Sequence, residues 1–220
     1  MVVTVNASEE GRCEFCREQS GVARRAEIDA HLGSTSRITQ VHGITVFPSV
    51  SPLAPGHLLL APVRHVRSTK ECVPAEVRAV SAALDWTRSL LADRDAIVSF
   101  EHGVGATSSA GCGIVHAHIH VLPLPSEVRV RTLRRLMASL TLLARGTREE
   151  VCAALRPGQS YLMFGEVDDQ VAFDGENVSS QLVRKIACEH LGQSWDWRLF
   201  DRWAQFDESL RILNVGIHSV

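Results

Sequence analysis

Three histidines at alternate positions, His116, His118 and His120, are the strongest chemical signal in this 220-residue chain. The stretch Gly111-Cys112-Gly113-Ile114-Val115-His116-Ala117-His118-Ile119-His120-Val121-Leu122-Pro123 reads as a strand. In an extended chain successive side chains point to opposite faces, so Ile114, His116, His118, His120 and Leu122 share one side, and Val115, Ala117, Ile119 and Val121 the other. Same-side neighbours lie roughly 6.6–7 Å apart. Two adjacent imidazoles can therefore grip one ion or one phosphate, whereas three cannot easily coordinate a single metal, and His118 holds the distinct middle place. A neutral imidazole, with an ordinary pKa of about 6.5, is largely deprotonated at pH 7. It is a nucleophile without an auxiliary base once its other nitrogen is held by a hydrogen bond.

Two further groups have types and spacing that can do chemistry. Cys13 and Cys16 have the two-residue gap that lets both thiolates reach one zinc ion, but a pair supplies only half of a closed tetrahedral site. Glu101 and His102 open a glycine- and serine-rich segment that runs to Gly111, and such a loop can turn several backbone N–H groups toward an anion. Placed directly before the histidines, it stands where a phosphate would be held for attack, with Glu101 and His102 as candidates to line the pocket.

These groups need elements to position them. Residues 37–41 and 44–47 flank His42-Gly43 and predict a hairpin, since glycine supplies the positive φ of a tight turn. A proline-punctuated loop follows, then an apolar strand over 56–62 that opens on His57, read as a hydrogen-bonded structural histidine. Residues 74–92 carry apolar side chains at helical spacing, with proline in the first turn where its missing N–H costs little. Residues 96–100 predict another strand. Beyond Pro123, helices are expected over 126–145 and 147–156, a second hairpin over 161–173, and a helix over 179–192 with a serine start and a glycine stop. Gln181 and Arg184 on that last helix are candidates to reach a substrate's phosphate or far end. Trp195, Trp197 and Trp203 are read as anchors for the tail.

Composition bounds the reading. A chain with 45% hydrophobic and 22% charged residues is an ordinary soluble type, long enough for one good core and an appendage. A formal charge of −2 argues against a nucleic-acid binder that relies on bulk charge. No apolar run approaches the roughly 18–20 residues that span a bilayer, and the first residues lack a basic n-region, so a cytoplasmic location without membrane association is expected. Six cysteines, two of them paired in sequence and the rest scattered, fit reduced thiols with one metal pair better than a disulfide framework.

With these residues in view, a family resemblance can be stated. His116-Ala117-His118-Ile119-His120-Val121-Leu122 resembles the signature of the histidine triad (HIT) family of nucleotide hydrolases and nucleotidyltransferases. Upstream, Pro55-Gly56-His57-Leu58-Leu59-Leu60-Ala61-Pro62-Val63-Arg64-His65 resembles the family's Gly-His-x-Leu-x-x-Pro-x-x-His strand, and Cys13-Glu14-Phe15-Cys16 the opening of its zinc-containing branch. The resemblance covers roughly residues 12–125. It implies that His118 attacks an α-phosphate to form a nucleotidyl-histidine, released to water or another acceptor. It further implies that His120 contacts the phosphoryl oxygens or leaving group, that backbone N–H groups near Gly111 and Gly113 stabilise charge, and that a structural Zn2+ is held by Cys13, Cys16, His65 and His116. His116 would otherwise orient its catalytic neighbours.

The implied fold is α+β: a mainly antiparallel five-stranded sheet with a covering helix, plus a small C-terminal hairpin-helix extension. Residues 1–125 would form the catalytic domain and residues 126–220 the extension packed on it. The implied partner is a nucleotide or nucleotidylated small molecule, and the family's pairing habit implies a homodimer. One departure lies in the loop: Cys112 and Gly113 stand where the family usually has glutamine and then serine or threonine, so the leaving group and acceptor stay open. Two other readings compete, a zinc-stabilised nucleotide-binding protein without turnover and a metal-dependent hydrolase built on a His-x-His pair.

Overall fold

A computed structural model describes residues 10–92, 96–105, 114–166, 168–196 and 198–217. Two short helices come first, α1 (Glu14–Gln19) and α2 (Ala26–Leu32), followed by strands β1 (Thr39–Val41), β2 (Ile44–Pro48) and β3 (Leu58–Pro62). Helix α3 (Pro74–Leu90) leads to β4 (Ala96–Gly103) and β5 (Ile119–Leu124). The chain then runs through α4 (Ser126–Ser139), β6 (Leu142–Gly146), α5 (Arg148–Ala154), β7 (Tyr161–Glu166), β8 (Asp169–Asp174), α6 (Leu182–His190) and α7 (Trp203–Ile217). His42 and Gly43 both take positive φ, 52° and 80°, as the two-residue turn between β1 and β2 requires.

The architecture is α+β. One sheet of eight strands runs in the order β1-β2-β3-β5-β4-β7-β8-β6, and every neighbouring pair is antiparallel. The sheet exceeds the five strands expected from sequence because the hairpin β7–β8 pairs along the edge of β4 and β6 adds beyond β8. The helix expected over residues 126–145 ends at Ser139, and Leu142–Gly146 pairs with β8 instead. Apolar spacing fits either element over so short a run, and the waiting edge of β8 decides it.

Strand β5 starts at Ile119, so His116 and His118 lie in its lead-in and only His120 of the three is in the strand. Directly opposed residues share a face, and a single row crosses the sheet through Phe47, Leu59, His120, Phe100 and Phe164. Toward β7 this face packs with Val98, Leu122 and Phe173 under α4 and α6, through Val128, Leu136, Val183 and Ile186. Toward β2 it packs with Cys13 and Phe15 of the N-terminal segment. The opposite face sets Val46, Leu60, Ile119 and Val121 against Val80 and Leu84 of α3 and Leu213 of α7. His120 thus sits where the two coverings of its face meet. No helix among the described residues is long and apolar enough to cross a membrane.

Candidate active site

The hydrogen bonds of four buried histidines fix where each proton resides. Leu53 N–H donates to Nδ1 of His57 at 3.2 Å, so neutral His57 carries its hydrogen on Nε2 and donates it to Nδ1 of His120 at 2.9 Å. That assignment leaves His120 with its own hydrogen on Nε2. His118 donates from Nδ1 to the carbonyl of His116 at 2.7 Å, and its Nε2 keeps the lone pair. His116 donates from Nε2 to the carbonyl of Pro62 at 2.8 Å, so its Nδ1 is an acceptor. A carbonyl oxygen or a backbone N–H at one end of each chain forces the tautomer at the other.

Burial keeps these rings neutral. His57 is fully buried, and burial followed by the nearby Arg184 charge holds its pKa well below the imidazole range. His120 is held well below it as well, by burial and then by its histidine neighbours. Burial also lowers His118, and pushes His116 down to about 4. The Phe100 ring stacks on His120 with centroids 4.3 Å apart, and Phe15 meets His118 edge-on at 5.3 Å, so aromatic walls fix both ring planes.

His118 and His120 form part of a cavity of about 340 Å³. Phe15, Val50, Leu59 and Ile114 contribute apolar surface, the N-terminal segment adds charges of both signs, Glu14, Arg17, Arg24 and Glu27 among them, and Gln181 and Arg184 stand at the α6 end. Arg184 is 4% exposed, donates to the carbonyls of Val50 (2.9 Å) and Ser51 and to Oε1 of Gln181 (3.3 Å), and lies 4.3 Å from the Trp195 ring centroid. Burial and the Arg202 charge push its pKa down to about 9.

The sequence expectations place unevenly. His118, His120, Gln181 and Arg184 converge on the cavity, and His102 borders a small recess shared with His118, His120 and Gln181. Glu101 points into the opposite face. There it is fully buried and accepts hydrogen bonds from Thr69 N, Thr69 Oγ1, Tyr161 Oη and Arg148 Nη1 at 2.6–2.8 Å. Alternation along β4 explains the split between Glu101 and His102. Gly111, Cys112 and Gly113 lie outside the described residues. Sequence reasoning missed Phe15, Val50 and the link from His57 to His120; only the cross-strand register, absent from sequence, brings His57 to the triad.

Cys13, Cys16, His65 and His116 bring four ligand atoms within 4.8 Å of one another. Sulfur to Nδ1 separations are 3.5 Å for Cys13–His116, 3.4 Å for Cys16–His116 and 3.3 Å for Cys16–His65. Tetrahedral zinc with ordinary bond lengths spaces such ligands by about 3.6 Å, so the four residues fit the ion. Burial and then the neighbouring Cys13 push the Cys16 thiol up to about 12, and a cation at the centre would reverse that by favouring the thiolates.

The family model of the HIT domain matches residues 34–127. Among solved structures, a Hit-like protein involved in cell-cycle regulation from Bartonella henselae, with an unknown ligand, is 16% identical at a TM-score of 0.40, covering 53% of this chain and 78% of that one. Yeast Ap4A phosphorylase in complex with AMP is 13% identical at a TM-score of 0.41. The match covers 64% of this chain and 61% of the yeast chain.

Proposed function

Residues 34–127 make this chain a member of the histidine triad (HIT) family, and we propose that it is a nucleotide-processing enzyme in which His118 forms a nucleotidyl-histidine intermediate. The observation that carries the reading is the 2.7 Å bond from His118 Nδ1 to the His116 carbonyl, which leaves Nε2 as a neutral lone-pair donor in a cavity large enough for a nucleotide. The nucleoside lies against Phe15, Val50, Leu59 and Ile114. In the first step Nε2 of His118 forms a bond to the α-phosphorus, and the bond from phosphorus to the leaving group breaks, its electron pair departing with that group. His120 donates its Nε2 hydrogen to a phosphoryl or leaving-group oxygen, and His57 holds that tautomer from behind. In the second step water or another acceptor attacks phosphorus and gives up its proton to solvent, the N–P bond breaks with its electron pair returning to Nε2, and neutral His118 is restored.

Zinc, where bound, supplies a closed structural cross-link between the N-terminal segment and the lead-in to β5, with no open coordination position. Cys13, Cys16, His65 and His116 are the residues that would hold it.

The test is intact-mass spectrometry of the wild type and of His118→Ala, each mixed with ATP, GTP, UDP-sugars, dinucleoside polyphosphates and nucleoside phosphoramidates under an acid-free quench. A nucleoside-monophosphate mass shift in the wild type that is absent from the variant establishes the intermediate and identifies the nucleotide. Ligand binding with no adduct and no substrate loss would instead make this a binding protein.

A further inference from the structure

Resting on the nucleotidyl-transfer reading above, we infer that Glu101 and Thr69 are positioning residues for that reaction: from the far face of the sheet they fix the turn that orients the peptide group between His116 and Ala117, and through it His118. That peptide group is bonded at both ends. Its carbonyl accepts the Nδ1 hydrogen of His118 at 2.7 Å, and its N–H donates to the carbonyl of Val66 at 2.6 Å. A peptide unit is planar, so a rotation that spoils one of these bonds spoils the other. Donation by the N–H also polarises the unit and makes its oxygen the better acceptor. The Nδ1–H tautomer of His118, on which the free lone pair at Nε2 depends, is therefore set by where the Val66 carbonyl lies.

Val66 is fully buried and anchored on each side. On one side His65 belongs to the candidate metal cluster. On the other the chain turns at Ser68, whose carbonyl accepts from Glu71 N–H at 3.0 Å, and Thr69 is gripped by Glu101. Thr69 N–H donates to Oε1 of Glu101 at 2.7 Å, and Thr69 Oγ1 donates to Oε2 at 2.6 Å. Tyr161 Oη donates to Oε1 at 2.8 Å and Arg148 Nη1 to Oε2 at 2.8 Å, so each carboxylate oxygen accepts twice and Arg148 supplies the counter-charge. Lys70 ties the same turn to the Cys152 carbonyl of α5.

A buried ion pair stabilises a fold little better than apolar residues of the same volume. What Glu101 supplies here is geometry. A charged acceptor that takes both the backbone N–H and the hydroxyl of one residue permits a single placing of Thr69, and so of the turn that begins at Val66. The neighbouring Arg67 carbonyl accepts Val104 N–H at 3.4 Å, which ties the turn to the chain leaving β4, the strand that carries Glu101.

The test is imidazole nitrogen NMR of the full chain, with the His118 signals identified by their loss in His118→Ala. Beside it run the rate of adduct formation and KM, both with the nucleotide of the panel above that gives the wild-type mass shift. Wild-type His118 is expected to show a protonated Nδ1 and a bare Nε2. Thr69→Val removes the hydroxyl at nearly constant volume. In that variant the Nε2–H form should appear beside the first, and the adduct rate should fall about tenfold with KM little changed. Thr69→Ser restores the hydroxyl and should recover both. Leu155→Ala, which thins the packing of α5 without removing a bond of the clamp, should lower the unfolding midpoint and leave tautomer and rate alone. A wild-type His118 protonated on Nε2, a Thr69→Val protein with wild-type tautomer or rate, a serine variant that falls as far as the valine, or a Leu155→Ala protein with the same loss each overturns the inference and leaves the His118 adduct standing. No adduct in the wild type with any member of the panel overturns the nucleotidyl-transfer reading itself, and this inference with it.

Discussion

The carbonyl oxygen of His116 accepts the Nδ1 hydrogen of His118 at 2.7 Å, while the ring of that same His116 turns its own Nδ1 toward the sulfurs of Cys13 and Cys16. One residue thereby joins two devices. Its backbone sets the tautomer of the candidate nucleophile, and its side chain belongs to the candidate metal cluster. Phe15, between the two cysteines in sequence, completes the connection with ring contacts of 5.8 Å to His116 and 5.3 Å to His118.

Loss of a cysteine should therefore be felt at the nucleotide site. Cys16→Ser is expected to lower zinc content from about one equivalent per chain to near zero, since three remaining ligands hold the ion poorly. AMP affinity should fall by about 10–100-fold as Phe15 and the wall behind it loosen. Elemental analysis and calorimetric AMP titration read the two effects separately, and a zinc-free variant that binds AMP as tightly as the wild type would disconnect them.

His57 should behave as a positioning residue. It is not among the residues lining the main cavity, but it spans from Leu53 N–H to His120 Nδ1 in one buried chain. His57→Leu removes both bonds and frees His120 to present either tautomer. The expected loss in kcat is about 10–100-fold with KM little changed. His57→Gln keeps a donor and an acceptor and should recover part of it. A mere packing role would make Leu the milder of the two substitutions, which the kcat comparison and thermal melting together resolve.

What could be read from sequence follows from the range of the interactions concerned. Alternation put His118 and His120 together because a strand and its lead-in repeat every two residues, a local rule. The hairpin turn at His42-Gly43 was equally local. Glu101 and His102 were indistinguishable in sequence, yet one residue of register along β4 sends Glu101 to Arg148 and leaves His102 beside the triad. The extra strands depended on which edges were free to pair, and the segment after Ser139 found its partner in β8, some 30 residues on. Arg184 and Gln181 were suggested by the punctuation of their helix. Their cavity depends on the Val50–Ser51 carbonyls more than 130 residues away.

Glu101 then makes a prediction about stability. Its carboxylate is the buried partner of Arg148 at 2.8 Å, and both side chains are nearly inaccessible, at 0% and 3% exposure. Glu101→Gln leaves the guanidinium without its counter-charge in the core. Breaking one side of a buried pair costs about 3–5 kcal/mol. Urea unfolding should show that loss, whereas KM for nucleotide should stay near the wild-type value, because Glu101 faces away from the cavity. A raised KM without a stability change would return Glu101 to the substrate.

The buried histidines fix the direction of the pH response. His57, His118 and His120 bind protons less readily when folded than the ordinary imidazole pKa of about 6.5 allows, with burial the largest cause for each. Below about pH 6.5 the unfolded chain takes up protons that the folded chain refuses, so stability is full above that value and falls as pH drops toward the folded values. Each such group contributes up to about 1.4 kcal/mol per pH unit within that window. Urea midpoints at pH 7.5 and 5.5 should differ in that direction. Activity should outlast the ordinary imidazole titration, with the acid limb of kcat/KM lying below about 6.5, because the lone pair on His118 Nε2 is lost only when the folded ring is protonated. An acid limb above 6.5 would mean that the ring acting on phosphate carries a proton at rest, against the neutral tautomer that the His116 carbonyl imposes.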